Sequence, residues 1–199
     1  MIHEMEQRTD EWFEVRLGRI TASRIREVLP QNGNINTTKL NYFAYQLAAQ
    51  ILTGESDTPD YQSAAMLRGT ELESEAREAY QMIAGVEVQE VGFVTHDVYP
   101  AGCSPDGLIG DDGGLEIKCP LGATQLKYLV NKKLPAEYFP QVQFSLWLTG
   151  RKWWDFFSYH PRLKPLLVRV EPDKGYFDKL NEVIEKLDIK IKTIIKEVG

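Results

Sequence analysis

The chain has 199 residues, 43% of them hydrophobic, enough to bury a sizeable core and a natural length for one domain spanning 1–199. No stretch approaches the ~18 apolar residues of a membrane span, and Met1-Ile2-His3-Glu4 is not a basic start before an apolar run, so the expectation is a soluble, cytoplasmic protein with no membrane partner. The net charge of -6 argues against a surface coated in phosphate-binding basic patches, though carboxylates clustered around a cation would also contribute to it; two cysteines, Cys103 and Cys119, are too few for a disulfide scaffold or a four-thiolate metal site and are expected reduced and buried.

In chain order, Thr9 or Asp10 can cap a short helix over Glu11 to Leu17 that stops at Gly18. A second helix is expected from about Thr21-Ala22-Ser23 to before Pro30, and a third over Thr38 to Thr53, closed by Gly54. After a polar connection, a long helix covers about Tyr61 to Ile83, with Gly69 a weak point and an acidic face of Glu71, Glu73, Glu75 and Glu78. The period then changes. Val86 to Val94 alternates apolar and polar as a strand does, and short strand-like runs follow, separated by Asp106-Gly107 and Gly110-Asp111-Asp112-Gly113-Gly114. Helices from Ala123 to Lys132 and Pro140 to Leu148, strands from Trp153 to Tyr159 and Leu166 to Val170, and an amphipathic helix from Asp173 complete the chain. The order predicts an α/β fold, a mixed sheet layered with helices. The apolar stripe of the last helix, Leu180, Val183, Ile184, Leu187, Ile191 and Ile194, is expected to pack on that sheet, with self-association as the alternative.

One constellation carries chemistry. Ser104-Pro105-Asp106-Gly107 is followed, ten residues after the aspartate, by Glu116-Ile117-Lys118. Side chains two apart on a strand share a face, so Glu116 and Lys118 project together while Ile117 points to the core, and a neighbouring antiparallel strand can bring Asp106 to the same sheet edge. Two carboxylates offer hard oxygen ligands to Mg²⁺, and an ammonium beside them can orient a water and stabilise charge developing on a phosphate. The plain alternative is a hairpin turn at Asp106-Gly107 and a solvated strand face with a surface ion pair.

The segment resembles the proline-aspartate, glutamate-x-lysine arrangement of restriction-endonuclease-like nucleases, and separated blocks are similar to the phage lambda exonuclease and viral-type recombination exonuclease family. These are Trp12 to Ser23, Arg68-Gly69 through Glu73 and Ala76, Ala101 to Gly107, Leu115 to Pro120, and Gln141-Val142-Gln143 through Trp147. The resemblance covers roughly Arg8 to Arg162 and implies a restriction-endonuclease-like mixed central β-sheet flanked by α-helices. It implies Asp106, Glu116, the main-chain carbonyl of Ile117 and Glu73 as metal ligands, Lys118 as the catalytic lysine, and Gln141 as a residue that places the water and the phosphate. Glu71 and Glu75 are the neighbours with which Glu73 could be confused. Arg16 and Ser23, with Ser104, would hold a terminal 5′ phosphate, since a guanidinium fork and hydroxyls match phosphate oxygens.

The activity so implied is a 5′-to-3′ exonuclease that degrades one strand of double-stranded DNA to mononucleotides, using Mg²⁺ (Mn²⁺ as a substitute), two ions per site, and leaving 3′ overhangs for phage-type recombination. The implied partners are DNA ends, two further copies of the chain in a trimeric ring, and a single-strand annealing protein, in a phage or prophage setting. Two alternatives stay open: a restriction-like or repair endonuclease, and a non-catalytic DNA-end-binding module. An iron-sulfur relative is disfavoured by the cysteine count. Trp147, Trp153, Trp154, Phe156, Phe157 and Tyr159 are read as packing rather than base stacking, and His3, His96 and His160 have no metal-ligand spacing.

Overall fold

In the computed structural model, which describes residues 1–56 and 64–198, the first helix starts where the Thr9 hydroxyl accepts the Trp12 N–H. This helix, α1 (Asp10–Arg16), ends ahead of Gly18, whose φ of +66° suits glycine and whose missing side chain leaves room for Ile51. Two further helices, α2 (Thr37–Thr53) and α3 (Ala64–Ala84), precede the strand-rich middle. The Asn36 side chain caps α2, and Gly54 closes it in the left-handed region. Of the long helix expected from Tyr61, residues 61–63 lie outside the described residues.

The strands form two four-stranded mixed sheets. The first holds β1 (Ile2–His3), β2 (Ile20–Thr21), β3 (Phe93–Thr95) and β4 (Ala101–Cys103) in the order β1-β3-β4-β2, with β2 parallel to β4. The second holds β5 (Gly107–Ile109), β6 (Gly113–Lys118), β7 (Trp153–Ser158) and β8 (Leu166–Val170) in chain order. Its central pair, β6 and β7, is parallel, so the chain between them must cross over; it does so through α4 (Gly122–Asn131) and α5 (Phe139–Thr149). The last helix, α6, runs from Lys174 to Val198 after the Asp173 carboxylate accepts the Tyr176 N–H.

Alternation along β6 and β7 sorts the core. Leu115, Ile117 and Phe157 face α3, where Ala76 and Tyr80 complete a small cluster. Trp154 on the opposite face joins the main core with residues of α2, α5 and α6. Trp154, Phe156 and Phe157 are fully buried, so the aromatic run is packing, as its strand spacing predicts. Among the described residues no helix is long and apolar enough to cross a membrane.

Four local expectations change. The helix expected from Thr21 is a short strand, Ile20–Thr21, followed by a single 3-10 turn, Ile25–Glu27, because pairing with β4 takes the backbone that a helix would use. Val86 to Val94 is not one strand: Gln89 pairs with Leu108 in the second sheet and Phe93 with His3 in the first, so this segment is the bridge between sheets. The turn expected over Gly110 to Gly114 is narrower, occupying 110–112 with Gly110 at φ +50°, and Gly113 and Gly114 open β6. The α6 stripe, expected on the sheet, packs chiefly on α2 and α5 within a core that also holds sheet residues, with Leu180, Val183, Ile184 and Leu187 fully buried.

A Cβ at Gly114 would stand 2.3 Å from the six-membered ring of fully buried Trp154, whose strand is hydrogen-bonded to its own and cannot retreat. Gly114→Ala is therefore expected to destabilise the fold by about 1–3 kcal/mol, seen as a lower urea midpoint; an unchanged midpoint would show that the two strands can separate.

Candidate active site

The site grows from unequal strand lengths. β5 pairs with β6 only from Gly107↔Leu115 to Ile109↔Gly113, so the end of β6 runs on without that neighbour. The Asp106 N–H still donates to the Leu115 carbonyl at 3.1 Å, and the Asp106 carboxylate then accepts the Ile117 N–H at 2.5 Å. A side chain thus replaces the missing strand. Because the N–H and C=O of one strand residue leave the same edge, the Ile117 carbonyl shares this open edge with the Asp106 carboxylate.

On the face away from α3, Glu116 is 2% exposed and both Lys118 and Gln141 reach it: the Lys118 ammonium pairs with Oε1, and Gln141 Nε2 donates to the same oxygen at 2.7 Å. Pro140 stands in the first turn of α5, whose start points Gln141 at β6. The Lys118 ammonium lies 5.4 Å from the Tyr138 ring centre, and Tyr138 stacks on Phe156. Asp106, Lys118, Glu73, Arg68, Arg8 and Tyr138 line one cleft of about 530 Å³.

Burial, then Glu116 and Glu73, push the Asp106 carboxyl well above the usual carboxylate range, against the pull of Lys118. For Lys118, burial acts downward, but Glu116 and Asp106 more than reverse it and the ammonium is held charged. The centre is short of positive charge. Glu73 faces the same cleft from α3, with its oxygens taken by Arg77 at 2.9 Å and Arg8 at 3.3 Å. Among the described residues, no three His, Cys, Asp or Glu side chains are grouped to hold a metal as they stand. The donor chemistry nonetheless fits a hard divalent cation, since crowded, desolvated carboxylate oxygens and a main-chain carbonyl on one open edge are what such an ion takes.

A second cluster adjoins the first through Ser104. Arg16 Nη1 donates to the Ser104 hydroxyl oxygen at 2.9 Å, and the one Trp12 indole N–H is shared between that oxygen at 3.1 Å and the Gly92 carbonyl at 3.0 Å. The Arg16 guanidinium lies 4.0 Å over the Trp12 ring, and no carboxylate pairs with it among the described residues. Burial without such a partner lowers its pKa to about 10. With Ser104 Oγ accepting from Arg16, its own proton is left to donate elsewhere. Ser23 is exposed and 3.4 Å from the Thr21 hydroxyl; no hydrogen bond joins it to Arg16 or Ser104 among the described residues.

The structure therefore brings together Asp106, Glu116, Lys118, Gln141 and the Ile117 edge, sets Glu73 across their cleft, and joins Arg16 to Ser104 beside them. Sequence reasoning missed Arg77, whose Nε donates to the Asp106 carbonyl at 3.1 Å, and Gln7, whose amide donates to the Pro105 carbonyl at 3.0 Å. Arg68, named only within a block of resemblance and given no role, donates to the Cys119 and Pro120 carbonyls just past Lys118. The only signal was the four-residue spacing of Glu73 and Arg77 on a helix. Cys103 is buried as expected, while Cys119 is half-buried; both are free.

Residues 11–152 match the YqaJ-like viral recombinase domain, and the chain belongs to that family. In structure it is similar to the alkaline exonuclease LHK-Exo of Laribacter hongkongensis, at 36% identity over 96% of each chain, with TM-scores of 0.84 and, for that enzyme in complex with dAMP, 0.83. A phage-related exonuclease of Haemophilus somnus 129PT shares the fold at 14% identity, with a TM-score of 0.69 over 91% of this chain and 96% of the other. The uncharacterized protein ExoD of Escherichia coli K12 is 29% identical over 69 residues, 33% of this chain and 79% of that protein.

Asp106→Asn keeps an acceptor for the Ile117 N–H and removes one of the crowded negative charges. Without added divalent cations it is expected to raise the thermal midpoint, by on the order of 1 kcal/mol in stability; a lower midpoint would show that the full charge is needed to hold that N–H.

Proposed function

We propose that this chain is a Mg²⁺-dependent deoxyribonuclease that digests one strand of duplex DNA from its 5′ end, releasing mononucleotides and leaving a 3′ single strand for phage-type recombination. The observation that carries the reading is the convergence of Asp106, Ile117 and Lys118 on one cleft, with Glu116 buried behind Lys118 and hydrogen-bonded to both Lys118 and Gln141. Membership of the recombinase family and likeness to an alkaline exonuclease support it.

Asp106, Glu116 and the Ile117 carbonyl would hold Mg²⁺, or Mn²⁺ in its place, and Glu73 would complete the set from α3. Two such ions, when bound, would lower the pKa of a water and offset charge on the attacking and leaving oxygens. The chain's own groups do the rest. Lys118, kept charged by its carboxylate neighbours, orients the water and faces the charge that develops on the phosphate. Gln141 fixes the Glu116 carboxylate with one amide hydrogen and has a second to offer the water or phosphate. Arg16 and the free proton of Ser104 receive the 5′ phosphate, where a desolvated guanidinium without a carboxylate partner binds an anion most strongly. Ser23, exposed just beyond the end of β2, would offer a further hydroxyl to the same phosphate.

A trimeric ring, implied by the likeness to phage exonucleases, would keep duplex from diffusing away and surround it with side chains of three copies. A single-strand annealing protein is the partner that would take up the product strand. Light scattering is expected to give three times the chain mass; a monomer at all working concentrations sinks the ring.

The deciding test is digestion of linear duplex labelled separately at its 5′ and 3′ ends, beside a covalently closed circle. Loss from 5′ ends alone is expected, abolished by EDTA and slowed by about 100-fold or more in Lys118→Ala. Arg16→Ala is expected to erase the preference for a 5′-phosphorylated over a 5′-hydroxyl end. Cutting of circles would make the protein an endonuclease, and no Mg²⁺-dependent cleavage at all would leave a DNA-end-binding module.

A further inference from the structure

We propose that Arg77 is a positioning residue of this centre: one guanidinium fixes the separation between the α3 carboxylate, Glu73, and the strand-edge residue Asp106. The inference rests on the metal-nuclease reading above and goes beyond it in naming what holds the two proposed ligands in register.

Each of the three guanidinium nitrogens is used, and each on a different segment. Nη2 donates to Glu73 at 2.9 Å, Nη1 pairs with Glu90 at 2.7 Å, and Nε donates to the Asp106 carbonyl at 3.1 Å. The side chain is 12% exposed, against 43% for Arg8, the other arginine on Glu73. A planar fork with donors in fixed directions can tie three acceptors at set angles, which an ammonium on a flexible stem cannot. Glu90, 69% exposed, steadies the fork from the solvent side.

Asp106 needs this hold. It lies in the short link between β4 in one sheet and β5 in the other, ahead of the first paired residue, Gly107. Its carbonyl and that of Pro105 are taken instead by side chains, Arg77 and Gln7, from elsewhere in the chain. Turning the Asp106 peptide would turn its carboxylate away from the Ile117 N–H and from the edge where the cation would sit. Among the described residues Arg77 neither lines the cleft that holds Asp106 and Lys118 nor hydrogen-bonds to Lys118, so it acts through Asp106 and Glu73 rather than on the reacting atoms. Groups that orient metal ligands from behind typically change metal affinity or activity 10–100-fold.

The test uses the full chain with Arg77→Ala and Arg77→Lys, checked for folding by circular dichroism. Three readouts are taken: the half-saturating Mg²⁺ concentration and kcat for digestion of linear duplex, KM for DNA, and Mn²⁺ binding by calorimetry without DNA. R77A is expected to raise half-saturating Mg²⁺ and weaken Mn²⁺ binding by about tenfold or more, with KM for DNA within about twofold of wild type. R77K, which keeps the charge but not the fork, is expected to recover less than half of that loss on a logarithmic scale. If R77A fails to fold, R77K alone carries the same expectation. Wild-type metal dependence in a folded R77A, or in R77K where R77A does not fold, overturns the proposal, as does a change confined to KM for DNA or full rescue by lysine. If wild type itself neither binds Mn²⁺ nor cuts DNA with Mg²⁺, it is the nuclease reading that fails, and this proposal with it.

Discussion

A three-residue strand beside a six-residue one is the constraint on which the site depends. Where β5 stops, β6 presents an unpaired edge, and an unpaired backbone N–H away from water is costly unless a partner is supplied. The Asp106 carboxylate supplies it. That bond fixes where the carboxylate stands, and with it the direction of the Ile117 carbonyl and the mouth of the cleft. A β5 two residues longer would satisfy the same edge with backbone and leave Asp106 no reason to be there.

The second constraint is charge. Asp106, Glu116 and Glu73 gather negative charge that no stable interior keeps without compensation, and the protein answers with a lysine and two arginines. Lys118 meets Glu116 from the same strand face, Arg77 and Arg8 meet Glu73 from the helix side, and the remaining deficit is what a divalent ion would fill. Arg16 stands apart from this balance. It is held by an aromatic face and a hydroxyl, which position a guanidinium without neutralising it, and so it retains its capacity for an external anion.

What could be read in advance follows from which interactions leave a periodic trace. The strand face shared by Glu116 and Lys118, the helix stops at Gly18 and Gly54, and the burial of the aromatic run all follow from local spacing. Gln141 and Glu73 came from resemblance rather than from pattern, since nothing local marks one polar helix residue among several. Arg77, Gln7 and Arg68 bind main-chain carbonyls, and a carbonyl is the same at every residue, so no pairing of side-chain types betrays them. The Thr21 helix and the Val86 strand failed for one reason: both segments are recruited by distant strands, and the partner is invisible in a local window.

The parallel pairing of β6 with β7 sets an order of events during synthesis. Glu116 and Lys118 lie in a strand whose neighbour, opposite them at Phe156 and Ser158, emerges only after the whole α4–α5 crossover has been made. Gln141 itself lies within that crossover. A ribosome that has completed the motif has therefore not completed the centre, and a chain truncated before β7 carries Glu73, Asp106 and Glu116 without the strand that pairs β6 on its other edge. A nuclease built in this order would gain its cutting centre only once the crossover and β7 are in place.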